Sequence, residues 1–397
     1  MSMIRRASPR AMWLAVFGIA ILYVGSTLPT PLYPTYRQVF RLSELDITLI
    51  YAAYVIGNLT VLFFFGRLSD QIGRRVTAII ALAAAMLSAL LFFAATGRDG
   101  LYAARICNGV AAGLGAGALT AWIAELEPGG NRERASVLAS AGNLVGLAAG
   151  AIAAGVLAHY IPWPLHASYA VYAVLMVLVI AALIALPETV PAVKSRLSDL
   201  SLRPRLGVPP GIRMAFVTPA ALAFTAFALA GFYAALTPGL LARTLGQGST
   251  VVIGAVVGGF FVVAAMVAVM TAQLGIRRAV AATVLLLLVG ISVLLAAEAK
   301  ASMPLLLVAT ALTGAAMAIG YRASLQIINR IAPAKQRAEV ISSYLMVCYL
   351  ANSLPVVGVG LLAQRGGAAL AHWVFGAALC VIAAGASAMG WRYLPDD

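Results

Sequence analysis

Charge is scarce in this chain, and acid is scarcest. Only 10% of the residues are charged, with 13 Asp or Glu against 27 Lys or Arg. A soluble fold must cover itself with polar side chains, and a chain that is 62% hydrophobic with a mean hydropathy of +0.97 cannot do so. Lipid is therefore its solvent. Cysteine is equally sparse. Cys107, Cys348 and Cys380 all fall inside apolar runs, without C-x-x-C spacing or histidines in ligand register, so they read as small buried hydrophobes. The three histidines, His159, His166 and His372, lie near the ends of such runs, where a satisfied or solvated imidazole is expected. No zinc-ligand cluster, nucleophile elbow, nucleotide loop or pair of catalytic carboxylates is present. These absences argue against an enzyme, and no metal or cofactor is expected. The net charge of +14 would suggest nucleic acid in a soluble chain; here it fits basic loops facing anionic lipid, and no nucleic-acid partner is expected.

What the chain has instead is long apolar runs. A helix needs about 20 residues to cross the hydrocarbon core. Twelve runs qualify, at about 11–33, 45–65, 76–96, 100–124, 135–158, 167–186, 212–240, 249–272, 278–297, 302–328, 338–363 and 369–391. They are too long for strands and lack the ten-residue alternation of an outer-membrane barrel. The first run is too long for a signal-peptide core and reads as a retained anchor. Basic residues set the orientation. With the N-terminus cytosolic, nineteen Lys and Arg fall on the cytosolic side. Arg37, Arg41, Arg98, Arg243, Lys300 and Arg365 fall on the other, and Arg105 and Arg322 lie within runs. Both termini are therefore expected in the cytosol. The stretch 187–211, with Lys194, Arg196, Arg203 and Arg205 among prolines, reads as a cytosolic linker between an N-terminal six-helix bundle (1–186) and a C-terminal one (212–397). The halves echo each other. ELEPGGNRERASVLAS between runs 4 and 5 matches NRIAPAKQRAEVISS between runs 10 and 11, and QLGIRRAV after run 8 resembles a worn QIGRRV after run 2.

The sharpest feature is Gly66 to Arg75, GRLSDQIGRR. Gly66 and Gly73 permit tight turning, Asp70 can accept from exposed helix-end amides, and Arg74 and Arg75 can pair with acids or lipid phosphate. An ordinary basic loop would not fix Asp70 between two glycines. Gly66, Leu68, Asp70, Gly73, Arg74 and Arg75 match the G-x-L-x-D-x-x-G-R-[KR] loop between helices 2 and 3 of the major facilitator superfamily, which the chain resembles, particularly its twelve-helix bacterial drug and sugar efflux (proton antiporter) branch. That resemblance implies an all-α membrane protein of twelve helices in two pseudo-symmetric six-helix bundles, in the bacterial inner membrane, working by alternating access. It also implies that the loop latches the halves in the outward-facing state, with Asp70 facing Ala338 and Arg74 paired with Glu125.

Weaker marks follow. Arg105 and Gly109 on run 4 resemble the family's R-x-x-x-G pattern, often tied to proton transfer; the alternative is an arginine snorkelling to the outer interface. Gly109, Gly113 and Gly117 share a helix face and permit close packing. On run 5, Gly142-Asn143-Leu144-Val145-Gly146, then Gly150 and Gly155, is similar to the glycine-rich antiporter motif, but Leu147 stands where proline is expected; small-residue packing explains it equally well. Arg322 is either a cationic spot in a central cavity or a snorkelling side chain. Tyr23, Thr27 and Thr30 around Pro29 and Pro31, with Asn58, Asn143, Phe227, Tyr233, Gln326, Tyr344 and Asn352, supply candidate cavity lining. Runs 1 and 4 lack the buried carboxylate that many proton-coupled exporters of the family carry. Asp46 is then the first candidate for proton coupling, alongside Arg105, with Glu125 structural. The leading expectation is a monomeric, proton-linked exporter of a small amphipathic organic molecule. The alternatives are a facilitator or importer of a sugar or carboxylate and, more remotely, a non-transporting receptor or scaffold.

Overall fold

The computed structural model describes residues 9–191 and 206–394. Arg5 and Arg6, and the middle of the expected linker with Lys194, Arg196, Arg203 and Arg205, lie outside the described residues. Every regular element among the described residues is helical. In hydrocarbon each backbone N–H and C=O needs a partner, and a helix supplies them all from within.

The first span is interrupted where the sequence places prolines. Helix α1 (Pro9–Thr27) stops before Pro29 and Pro31, which have no N–H to continue the ladder; a 3₁₀ turn at Thr30–Leu32 leads into α2 (Tyr33–Val39). Helix α3 (Glu44–Thr60) passes into a π-helical turn, Val61–Phe65, just before the Gly66–Arg75 loop, which contains the short α4 (Leu68–Ile72). Then come α5 (Arg74–Phe93), α6 (Arg98–Leu126), α7 (Arg132–Tyr160) and α8 (Ala167–Ile184). The second half has α9 (Arg213–Ala235), α10 (Thr237–Arg243), α11 (Thr250–Met270), α12 (Ile276–Ala299), α13 (Met303–Ile331) and α14 (Arg337–Gly390). Among the described residues, eleven helical stretches are long and apolar enough to cross a membrane. The last breaks at Gly367, whose φ of 82° is not helical, so α14 supplies two limbs, and twelve spans result. Large side chains such as Val174, Leu178, Leu285 and Val381 are more than 60% exposed, as expected of helices solvated by lipid.

Contacts group the chain into two compact units, one of residues 9–32 and 56–191, the other of residues 33–55 and 206–394. Inside the first, α1 packs on α7 and α6, and α5 packs on α6 and α8. The α1–α7 contact depends on small residues. A Cβ on Gly146 would sit 2.1 Å from the Ala20 carbonyl oxygen, and one on Gly150 would sit 2.3 Å from that of Val24. Inside the second, α9 packs on α14 and α13, and α12 packs on α13 and α14. There a Cβ on Gly231 would meet the Asn352 carbonyl at 2.4 Å. The internal repeat seen in the loops thus reappears as packing: α1 against α7 in one unit corresponds to α9 against the first limb of α14 in the other.

Candidate functional site

The signature loop is built around an acid that sequence reasoning missed. Gly73 has φ +104°, a conformation that side-chain-bearing residues rarely adopt. A Cβ there would lie 2.3 Å from Glu188 Oε2. This close approach lets the Glu188 carboxylate sit on the first turn of α5. It accepts from the backbone N–H groups of Arg74 (2.8 Å) and Arg75 (3.1 Å), where unpaired amides and the helix dipole favour an anion. Arg74 then reaches across the loop. Its Nη1 is 2.6 Å from Asp70, its Nη2 is 3.1 Å from Glu125 on α6, and it also donates to Ser69 Oγ at 2.7 Å. Thr189 donates to Glu125 in turn. Arg75 Nη1 donates to the Leu186 carbonyl at 3.1 Å, and Trp122 Nε1 to that of Pro187 at 3.2 Å. Residues 186–189, directly after α8, therefore fasten the loop. Their sequence signal is a Pro-Glu-Thr following an apolar run.

Within the first unit Arg105 is 1% exposed. It donates to the Ser26 carbonyl at 2.9 Å and lies over the Phe92 ring at 5.9 Å. Burial this complete removes the snorkelling alternative. Thr27 is also committed, donating to the Leu147 carbonyl at 2.7 Å. Thr30 and Asn58 are buried with side-chain oxygens lacking a hydrogen-bond partner among the described residues, as is Asn108, which the sequence reading passed over. Tyr23 and Asn143 are half-buried. Of the three aligned glycines on α6, Gly113 faces Asn58 and Val61, whereas Gly117 faces open space.

In the second unit Tyr233 donates to Thr310 Oγ1 (3.2 Å), accepts from Thr313 Oγ1 (3.0 Å) and stacks on Phe260 with centroids 4.2 Å apart. Tyr344 shares a hydrogen bond of 2.6 Å with Ser324. Asn352 accepts from Tyr51 at 3.1 Å, Phe227 meets Tyr321 edge-to-face, and Gln326 is half-buried. Arg322 has work of its own: its guanidinium donates to the backbone carbonyls of Ala272 and Leu274, just beyond the C-terminus of α11. Asp46 sits in a reciprocal cap at the start of α3. Its Oδ2 accepts from the Ser43 N–H (2.8 Å) and Oγ (2.6 Å), while Ser43 Oγ accepts from the Asp46 N–H (3.1 Å). The first choice for proton coupling is thus held in a surface hydrogen-bond ring.

Comparison with known proteins converges on one family. The family model described as Major Facilitator Superfamily matches residues 15–275. Multidrug resistance protein 2 of Bacillus subtilis is 31% identical over 141 residues, 34% of this chain and 35% of that protein. Quinolone resistance protein NorA of Staphylococcus aureus is 25% identical over 158 residues, 39% of this chain and 40% of that protein. The matched segments thus span little more than a third of these relatives' length. Among solved structures, a D-xylose–proton symporter aligns with a TM-score of 0.76 at 17% identity, covering 97% of both chains. A bacterial homologue of the human lysosomal transporter Spinster aligns at 0.77 and 14% identity over the full length of both. With twelve spans, the signature loop and a family model matched over most of its length, this chain belongs to the Major Facilitator Superfamily of membrane transporters.

Proposed function

We propose that the chain is a secondary active transporter that exports a small amphipathic organic molecule in exchange for protons. The observation that carries this reading is the Asp70–Arg74–Glu125 network, seated on Glu188. A charged clasp costs little to break when its carboxylates are as exposed as those of Asp70 and Glu125, and it re-forms readily, as a part that alternates between two states requires. In this reading the loop is the latch, the two six-helix halves (1–186 and 212–397) rock about a central site, both termini face the cytosol, and the protein works as a monomer. The resistance functions named for the Bacillus and Staphylococcus relatives favour an amphipathic cargo leaving the cell. The interior fits such a cargo: aromatic rings and neutral hydrogen-bonding groups such as Asn58, Thr30 and Asn108, without a carboxylate in the middle of any described span.

Internal pH in proteoliposomes, followed while neutral, cationic and anionic compounds are added, tests the proposal. Compound-dependent proton movement against the compound flux supports antiport. Compound flux with no proton movement would point to a facilitator of a sugar or carboxylate and retire the antiport reading.

A further inference from the structure

Helix α3 is divided between the two compact units. The chain enters residues 33–55 from the first unit and returns to it at residue 56, yet those residues group with the second. The helix itself, Glu44–Thr60, runs through that boundary without a break. Its last turn is seated on α6 inside the first unit. A Cβ on Gly57 would collide with the Ile106 carbonyl oxygen and lie 2.6 Å from the Val110 nitrogen, and one on Gly113 would lie 2.8 Å from Asn58 Oδ1. At Gly57 the seat is backbone on backbone, the closest fit two helices can make.

The other end of α3, remote from the signature loop, presents one stripe to the second unit. Glu44, Thr48 and Tyr51 stand at i, i+4 and i+7 and so share a helix face. Glu44 forms an ion pair with Arg243 at the end of α10, with the two side chains 24% and 44% exposed. Thr48 is buried and fills the space left by Gly360 on the first limb of α14. A Cβ on Gly360 would collide with Thr48 Oγ1 and lie 3.1 Å from its Cγ2. The Thr48 hydroxyl is committed to the Leu45 carbonyl at 2.9 Å, which holds the side chain in place. Tyr51 donates to Asn352 at 3.1 Å, and α2 packs on α10. An ion pair that water reaches, a fit against glycine and a neutral hydrogen bond can part without stranding a charge in lipid.

We propose that the Glu44–Thr48–Tyr51 stripe is a closure at the membrane face opposite the signature loop, released as α3 pivots on its Gly57 seat, and that Gly360 is the notch that lets it close. The proposal deepens the transporter reading and rests on its alternating access only for linking release to cargo movement. Of the two seats of α3, this is the one built to open. Parting the stripe hydrates an ion pair that is already partly wet, and the Thr48 hydrogen bond lies within α3 and stays made. The preceding span gives way easily, because it is interrupted by Pro29 and Pro31 and no continuous helix has to bend.

Spin labels at the exposed positions Val39 and Leu307, both within the second unit, read the closure in full-length protein in nanodiscs, with Cys107, Cys348 and Cys380 replaced by serine. Gly360→Ala should lower the closed-to-open ratio by about tenfold or more, as overpacking against a fixed side chain does. Its helix-propensity gain is the same in both states and cancels. Adding Thr48→Ala removes the Oγ1 and Cγ2 that stand in the way and should restore the short distance. Arg243→Glu should open the contact too, and Glu44→Arg with Arg243→Glu should close it again; this swap decides if Gly360→Ala does not fold. Recovery by a second substitution across the contact is not what general misfolding produces. A Gly360→Ala protein that keeps the short distance overturns the proposal, since the stripe is then fixed packing, and so does an opened one that Thr48→Ala does not close. A short bifunctional thiol reagent bridging Glu44→Cys and Arg243→Cys separates this closure from the antiport reading. Compound-driven proton movement in the fully bridged protein would overturn the closure and leave antiport standing. Distances that shift as described, in protein that no compound induces to move protons, would uphold the closure and overturn antiport.

Discussion

Substituting Gly146 with alanine separates the two readings of the glycine-rich stretch on α7. The added Cβ would lie 2.1 Å from the Ala20 carbonyl oxygen and 2.9 Å from its carbon, whereas real Cβ contacts essentially never fall below 3.0 Å. Both partners are helix backbone, so no side chain can swing away; α1 and α7 must part by roughly 1 Å, as overpacked interfaces do. Parting them stretches the 2.7 Å bond from Thr27 to the Leu147 carbonyl, one residue along. Overpacking costs about 1–3 kcal/mol, and a weakened hydrogen bond about 0.5–1.5 kcal/mol. Against this stands a helix-propensity gain of about 1 kcal/mol for replacing glycine by alanine. The net expectation is a loss of about 2 kcal/mol, read as a melting midpoint several degrees lower in detergent. Gly117→Ala is the control: nothing lies within 4 Å of its Cβ, so only the propensity gain remains and the midpoint should hold or rise. If Gly146→Ala melts with the wild type or with Gly117→Ala, close packing is not what the stretch is for. Lost proton coupling at unchanged stability would then favour the antiporter-motif reading.

Glu188→Ala should release the amides that open α5. Hydrogen exchange at Arg74 and Arg75 should rise by about tenfold or more, as expected when a charge-assisted bond of about 1.5–3 kcal/mol is lost; unchanged exchange would remove Glu188 from the clasp. Arg105→Met keeps most of the volume but not the charge. Abolished compound-driven proton movement in a folded protein would support a coupling role, whereas normal coupling with a lowered melting midpoint would make Arg105 a strut between α6 and α1. Arg322→Gln should loosen the turn at 271–274 without changing the preference between carboxylated and neutral compounds; selective loss of carboxylated compounds would return Arg322 to the cargo site. Asp46→Asn should cost about 1 kcal/mol or less as a weakened cap and leave proton coupling intact, so lost coupling in a stable variant would reinstate Asp46 as the proton carrier.

The spans were legible because each needs only length and apolarity, properties of contiguous residues. The break of the first span at Pro29 and Pro31 was legible too, since a missing N–H is local. What escaped is long-range. Glu188 reaches Arg74 across 114 positions, and His372 reaches Glu298 across 74. Neither Glu188 nor Glu298 stands out in sequence, because a lone acid near a run end looks like any interfacial residue until a partner is placed beside it. Arg322 was noticed for its cost in the membrane, yet its partners are backbone carbonyls of Ala272 and Leu274, and carbonyls leave no mark in a sequence. Gly146 carried a signal that pointed two ways, because small residues are needed equally for close packing and for a glycine-rich antiporter motif.

The distribution of acids constrains how any proton coupling must work. Of the described carboxylates, Asp46 caps α3, Asp70, Glu125 and Glu188 belong to the signature clasp, and Glu127 accepts from the Asn131 N–H with Arg134 at 3.6 Å. Asp99, Glu133 and Glu339 occupy first turns of α6, α7 and α14. Glu298 differs in being buried against His372, yet it too stands at a helix end. A proton carried by such a group cannot neutralise a cargo-facing acid at mid-membrane. For antiport it would have to act by changing which contacts close an end of the helices. Proton and cargo then compete through the state of the protein and not for one shared group. For antiport by this route, cargo charge should alter affinity without altering the number of protons moved per molecule, whereas a cargo-facing acid would tie that number to cargo charge.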